Sequence, residues 1–425
     1  MRTVQFKRKE VEIDWILVCL YSIFVIFGWL NIYSVSKPVE GVSWFSLETY
    51  YGRQLLFIAV SAFVSLIILA IKTSLLNTLS YWLYGITILL LLLVTFTGET
   101  VHGAKSWFMV GGFGVQPSEF AKITTIMALS QYMSHYSFSL DKPLQRIIAI
   151  GIILLPMLLT VLQHDTGSAL VFTSLIFIFY REGLSIGYLI FGFWAIFFAV
   201  LSLLVTKIWV LGVLLFMVLG SYFFLNQRKN LWLHIAGFIF YGVWVIGIDW
   251  VVGNVLESHQ QSRIQALINP NSDPLGVGWN VTQSKIAIGS GGSLGKGFLN
   301  GTQTKFDFVP EQHTDFIFCT IGEEYGWVGT TILILLFFVF LYQIVNIAET
   351  AKTKYARIYG YGVASIFLYH YAINIGMTIG LAPVIGIPLP FFSYGGSSMI
   401  SFSIMLAILL NHYANRVNIL ESFSY

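Results

Sequence analysis

Residues 184–225 read LSIGYLIFGFWAIFFAVLSLLVTKIWVLGVLLFMVLGSYFFL, a run in which Lys207 is the only charge. As one helix it would be about 63 Å long at 1.5 Å per residue, roughly twice the 30 Å hydrocarbon core of a bilayer. The run therefore divides into two spans, with Thr206-Lys207-Ile208-Trp209 as a surface turn, Lys207 in water and Trp209 in the aromatic belt. The rest of the chain agrees. Only 10% of its 425 residues are charged, 56% are apolar and 16% aromatic, and the mean hydropathy is +0.78. Soluble domains carry about a quarter charged residues, so this is an all-α polytopic membrane protein.

Working outward, further spans are expected at 13–33, 54–71, 79–96, 118–133, 147–163, 167–180, 231–251, 316–345, 358–381 and 388–411. With the divided run this makes ten to twelve spans, twelve preferred, in a single membrane domain over 1–425. The apolar stretch at 13–33 follows Arg2, Lys7, Arg8 and Lys9 but has no small-residue cleavage pattern, so it reads as a retained first helix. Positive charge sets orientation. Arg2, Lys7, Arg8, Lys9, Lys72, Lys142, Arg146, Arg181, Arg228, Lys229, Lys352, Lys354, Arg357 and Arg416 fall on one side, against Lys37, Arg53, Lys105, Lys122 and Lys207 on the other. Both termini are thus expected in the cytoplasm. A net charge of +3 argues against nucleic-acid binding. Cys19 and Cys319, both in or beside apolar runs, make no disulfide framework or thiolate metal site.

Two outer segments have the composition of ordered structure, 98–117 and the long loop at 253–315. In the second, GSGGSLGKG (289–297) departs from a nucleotide-binding loop at Ser290 and Gly297, which leaves a backbone nest for another phosphate with Lys296, or a plain turn. QPSEFAK (116–122) opens a helix at Pro117 and sets Glu119 and Lys122 three apart on one face, either as a helix-end ion pair or facing a cavity. Asp165, in the tight HDTG turn, reads as an N-cap or a cavity carboxylate. Glu323 and Glu324 could seal a helix contact or line the same cavity. Asp315, in FVPEQHTDF (308–316), reads locally as an N-cap, and its position at the membrane surface also suits a general base.

Together these segments resemble the SEDS family (shape, elongation, division and sporulation), the RodA/FtsW/SpoVE proteins. The resemblance rests on GAKSWF (103–108), QPSEFAK, QHDTGSAL (163–170), the run 269–318, GEEYGWVG (322–329) and GIPLPFFSYGGSS (386–398). The 269–318 run is more like the elongation member than the division member. The chain departs from the family in an apparent extra helix pair around 208–251, against about ten spans, and in Lys105 where Arg is common.

The resemblance implies a peptidoglycan glycosyltransferase that polymerises lipid II at the outer face of the bacterial inner membrane during elongation. Asp315 would then be the base for the acceptor 4-hydroxyl. Trp107, Glu119, Lys122 and Asp165 match positions lining the family's central cavity. Arg263, Lys296, Gln303 and His313 are added as substrate-binding candidates. A class B penicillin-binding protein, the cross-linking transpeptidase, is the implied partner. The leaving diphosphate calls for cations or a divalent metal, Mg2+ or Mn2+, although no ligand cluster marks a site. The alternative reading is a lipid II flippase. That would show charges through the full membrane depth and an internal repeat, whereas here charge concentrates outward and no repeat is clear.

Overall fold

The computed structural model describes residues 12–36, 43–101, 103–224, 231–254, 258–268, 277–306 and 308–416. The charges at Arg2, Lys7, Arg8, Lys9, Lys37, Arg228 and Lys229, and residues 269–276 of the long motif, lie outside these. The chain divides into two compact units, Gly183–Trp279 and the remainder.

The larger unit opens with α1 (Trp15–Val35), α2 (Tyr50–Ala70) and α3 (Thr73–Thr97). Asp14 caps α1 by accepting from the Leu17 N–H (2.8 Å), and Gln343 Nε2 donates to its other oxygen (2.5 Å), so the cap also ties α1 to a later helix. Residues 98–117 form an antiparallel meander of β1 (Glu99–Val101), β2 (Ala104–Val110) and β3 (Phe113–Val115). Ala104 to Phe108 of GAKSWF belong to this central strand, with the adjacent aromatics Trp107 and Phe108 suited to it.

α4 (Pro117–Met133) follows, then α5 (Pro143–Leu162), α6 (Thr166–Val171) and α7 (Ile176–Arg181), the last two joined by a 3-10 turn at Phe172–Leu175. After the second unit come α12 (Val277–Ser290), which begins in it, α13 (Ile317–Glu349), α14 (Lys354–Thr378) and α15 (Gly396–Ala414). α4 is buried on nearly every face and packs against α3, α5, α14 and α15. It is the axis of the unit, which explains how Ser118, Glu119, Lys122, Thr124, Thr125 and Ser130 can occupy one helix there. In a membrane, polar groups belong inside the bundle.

The smaller unit contains α8 (Ile186–Leu204), α9 (Lys207–Phe224), α10 (Leu231–Asn254) and α11 (Ser258–Ile268). Phe198, Val210, Leu214 and Val245 form its core. The break in the long apolar run is real but falls at Val205 and Thr206, so Lys207 starts a helix and does not sit inside a turn.

Three other expectations change. The stretch 253–315 is not all loop, because α11 and α12 lie within it. The last span begins at Gly396, not 388, since Pro388 and Pro390 cannot donate backbone bonds and keep 381–395 non-helical. The span expected at 167–180 is broken by its 3-10 turn. Among the described residues, eight helices are long and apolar enough to cross a membrane, with two shorter apolar ones at Thr166–Arg181 and Lys207–Gly220.

Candidate active site

The segment carrying Asp315 enters α13 one residue before its cap position. The helix begins at Ile317, and the cap position is Phe316, whose side chain makes no cap hydrogen bond. The local N-cap reading of Asp315 thus falls one residue short of the cap position. The main chain here is held from outside the helix. The Tyr394 N–H donates to the His313 carbonyl (2.8 Å), Ser393 Oγ to the Thr314 carbonyl (2.6 Å) and Asn374 Nδ2 to the Asp315 carbonyl (2.9 Å). Asn374 also donates to the Ile387 carbonyl (2.8 Å). The His313 ring stacks on Tyr50 with centroids 4.3 Å apart, and Tyr394 packs at 5.9 Å. Arg53 donates through Nε to the Leu47 carbonyl (2.6 Å), and its charge acts on the nearby Tyr394 hydroxyl. Arg53, Tyr50, Tyr394 and Asn374 were not singled out from sequence, because only the fold brings them to the HTDF segment.

The glycine-rich segment performs a different task from either expected one. Lys296 and Gly297 N–H groups donate to the Glu323 and Glu324 carbonyls (3.0 and 2.9 Å), and Gly292 and Ser293 carbonyls accept from Trp327 and Val328 (2.9 and 3.0 Å). These N–H groups of Lys296 and Gly297 already have carbonyl partners, so they form no phosphate nest, and the segment is no loose turn. It is a clamp on a kink in α13, where Gly326 has φ +63° and ψ −161°. Contact is so close that a Cβ on Gly295 would lie 2.1 Å from the Glu324 oxygen, and one on Gly326 2.3 Å from the Gly295 nitrogen.

Glu323, at the clamp, is fully buried. Its Oε1 accepts from Lys296 Nζ (2.6 Å), Thr302 N (2.8 Å) and Gln303 N (2.8 Å), and its Oε2 from Thr304 N (2.9 Å) and Oγ1 (2.8 Å). One carboxylate thus shapes the loop holding Lys296 and Gln303. Glu324 accepts from Ser34 Oγ and from the Leu299 N–H.

In the interior, Lys122 Nζ lies 2.7 Å from Glu119 Oε1 and 3.1 Å from His370 Nε2, and none of these three side chains is exposed by more than 3%. Ser401 Oγ donates to Glu119 Oε2 (3.1 Å). His370 Nδ1 is 3.0 Å from the Pro388 carbonyl, which can only accept, so Nδ1 carries the ring proton and Nε2 accepts from the ammonium. The ion pair expected from spacing is present, and it sits deep in the bundle with a third member.

Asp165 caps α6 by accepting from the Ser168 N–H (3.1 Å), while Gln116 Nε2 donates to its other oxygen (2.7 Å). Burial pushes its carboxyl above the usual range, against the pull of the Ser168 and Gln116 bonds, and the Glu119 charge adds to the rise. Trp107 on β2 lies over Gly114 of β3. Lys105 Nζ donates to the Phe96 carbonyl at the end of α3 (2.8 Å). Arg263 is on α11 of the second unit. Among the described residues no three His, Cys, Asp or Glu side chains gather as a metal-ligand set.

Comparison with known proteins supplies the family. A model of the FtsW/RodA/SpoVE cell cycle proteins matches residues 14–212 and 204–417. The peptidoglycan glycosyltransferase RodA of Treponema pallidum is 32% identical over 441 positions, spanning 96% of this chain and 99% of that protein. Peptidoglycan glycosyltransferase MrdB of Escherichia coli is 31% identical over 410 positions, spanning 96% and 95%. Among solved structures, a chain from a peptidoglycan synthase complex that coordinates polymerization and crosslinking superposes with a TM-score of 0.70 at 25% identity, over 96% of this chain and 99% of that one. Thermus thermophilus RodA, 22% identical, shares the fold with a TM-score of 0.61 over 96% and 98%. With motifs, fold and full-length relatives in agreement, the chain belongs to the FtsW/RodA/SpoVE family, the SEDS proteins.

Proposed function

We propose that this chain, a peptidoglycan glycosyltransferase, polymerises lipid II during cell elongation at the outer face of the bacterial cytoplasmic membrane, with both termini inside and Asp315 as general base. In this reaction Asp315 takes the proton of the acceptor 4-hydroxyl as that oxygen attacks C1 of the donor sugar. The C1–O bond to the undecaprenyl diphosphate breaks, and the diphosphate leaves with the electron pair. The observation that carries the proposal is the placement of Asp315. It stands before a helix whose cap falls on the next residue, in a main chain held by three external donors.

Lys296, Gln303 and His313 are proposed for substrate contact, and Arg263, on α11, is proposed separately from its sequence alone. Lys296 is partly exposed on the loop that Glu323 organises. The closed bonding of Glu119, Lys122 and Asp165 favours a role in holding the shape of the interior, and Trp107 stands on the meander. A divalent cation, Mg2+ or Mn2+, is proposed as a companion of the diphosphate. A class B penicillin-binding transpeptidase is the proposed partner, supported by the likeness to one chain of a peptidoglycan synthase complex.

The test is purified protein with lipid II, with and without the transpeptidase, read out as glycan polymer. Asp315→Asn keeps shape, removes the base and leaves the helix start unchanged, because Phe316 occupies the cap position. Expression, thermal midpoint and partner binding should persist while polymerisation drops about 100- to 10,000-fold. Activity above about a tenth of wild type would remove Asp315 from the mechanism, and lipid II translocation without polymer would favour the flippase.

A further inference from the structure

The amide of Asn374 is fully buried, and its two N–H groups point to two carbonyls from different parts of the chain, Asp315 at 2.9 Å and Ile387 at 2.8 Å. Its Oδ1 is buried without a hydrogen-bond partner. A planar amide in this orientation offers its whole donor capacity to those two oxygens, and the flipped orientation would set oxygen against oxygen. Asn374 stands one turn from His370, whose ring holds Pro388, and one turn from Thr378, whose carbonyl accepts from Ser284 Oγ of α12 (2.8 Å). This face of α14 therefore grips the 384–395 loop and the HTDF segment together.

The loop completes the arrangement. Ser393 accepts from the Leu389 N–H (2.7 Å), which orients its hydroxyl toward the Thr314 carbonyl, and the Tyr394 N–H holds His313. Three consecutive carbonyls, 313 to 315, are thus fixed by donors lying about 60 to 80 residues further along the chain. Phe316, at the cap position of α13, adds no side-chain hydrogen bond of its own.

We infer that Asn374 is a positioning residue for the reaction: its amide, donating through both N–H groups, sets the main chain of Asp315, and so the reach of the carboxylate, while Ser393 does the same one residue earlier. The inference rests on Asp315 being the base proposed above. A reactive group displaced by about 1 Å loses on the order of 100-fold in rate.

The experiment uses full-length protein and lipid II, and follows initial rates of polymer formation with varied substrate. Asn374→Ala should lower kcat at least tenfold with KM within threefold of wild type and folded protein still recovered. Asp315→Glu already displaces the carboxylate, so adding Asn374→Ala to it should cost less than threefold more. Wild-type kcat in Asn374→Ala would overturn the inference, and so would an equal fold-loss in both backgrounds, which marks a contribution unrelated to Asp315. If Asn374→Ala does not fold, Ser393→Ala, which deletes one hydroxyl, should show the same kcat loss and the same non-additivity, and their absence would overturn the inference. Asp315→Asn separates the two levels. If it remains active, the base assignment fails, and this inference fails with it. If it is inactive while Asn374→Ala turns over normally, only the positioning role fails.

Discussion

Replacing Lys122 by Met keeps the length of the side chain and deletes its charge inside the bundle. In the native protein the ammonium is 0% exposed, 2.7 Å from Glu119 and 3.1 Å from His370, with the Phe402 ring centroid at 5.4 Å. Its loss leaves a buried carboxylate with Ser401 as its remaining side-chain donor, and removing one member of a buried ion pair costs about 3–5 kcal/mol. Adding Glu119→Gln removes the stranded charge and retains an acceptor for Ser401. The acceptor nitrogen of His370 stays without its donor, so the double variant should remain about 1–2 kcal/mol below wild type. Thermal midpoints in one detergent, with the folded fraction from gel filtration, measure this. The order expected is wild type, then the double variant, then Lys122→Met well below. A single variant as stable as wild type, or a double variant showing the plain sum of both losses, would refute the reasoning. The folded double variant then tests chemistry, since full polymerisation in it would confine the pair to a structural role.

The remaining predictions are simpler. Gly326→Ala must tolerate φ +63° and a Cβ 2.3 Å from a backbone nitrogen, so little folded protein should accumulate; Gly292→Ala, at φ +57° with open space around it, should cost only about 1–2 kcal/mol in a thermal melt. Native Asp165 holds its proton more tightly than the unfolded chain does, so this group's contribution to stability falls as pH rises through its titration range. Asp165→Asn should therefore raise the thermal midpoint at pH 8 relative to wild type, with the gain shrinking toward pH 4. Single cysteines at 305 and 352 flank the 33-residue α13 and should label from outside and from the cytoplasm respectively; labelling from one side would overturn the proposed orientation.

Membrane class, most spans and the division of the 184–225 run were legible because hydropathy and length are summed over many residues. The Glu119–Lys122 contact was legible because three-residue spacing on a helix forces proximity. The cap at Asp165 was one of two stated readings, and it is present. What stayed hidden depends on distant chain. His370 joins Lys122 across 248 residues, and Asn374 reaches Asp315 across 59. The glycine run was legible as special backbone, but its ligand is another stretch of backbone, which no local spacing reveals. The cap position of α13 stands one residue from the Asp315 of the local reading for a related reason. Asp is a favoured cap, yet the helix boundary here falls one residue later, beyond what propensity can resolve.

The clamped kink in α13 also bears on how the chain is made. The glycine-rich segment leaves the ribosome before α13, and its outward-turned amides and carbonyls have no complement until Glu323 to Val328 has been synthesised. The bend at Gly326 is consequently not a preference of the nascent helix. It is a shape imposed when two pieces of backbone, translated some thirty residues apart, meet. Biogenesis of this protein thus contains an ordered step, in which the glycine-rich segment waits for the backbone that follows it before the helix can take its bend.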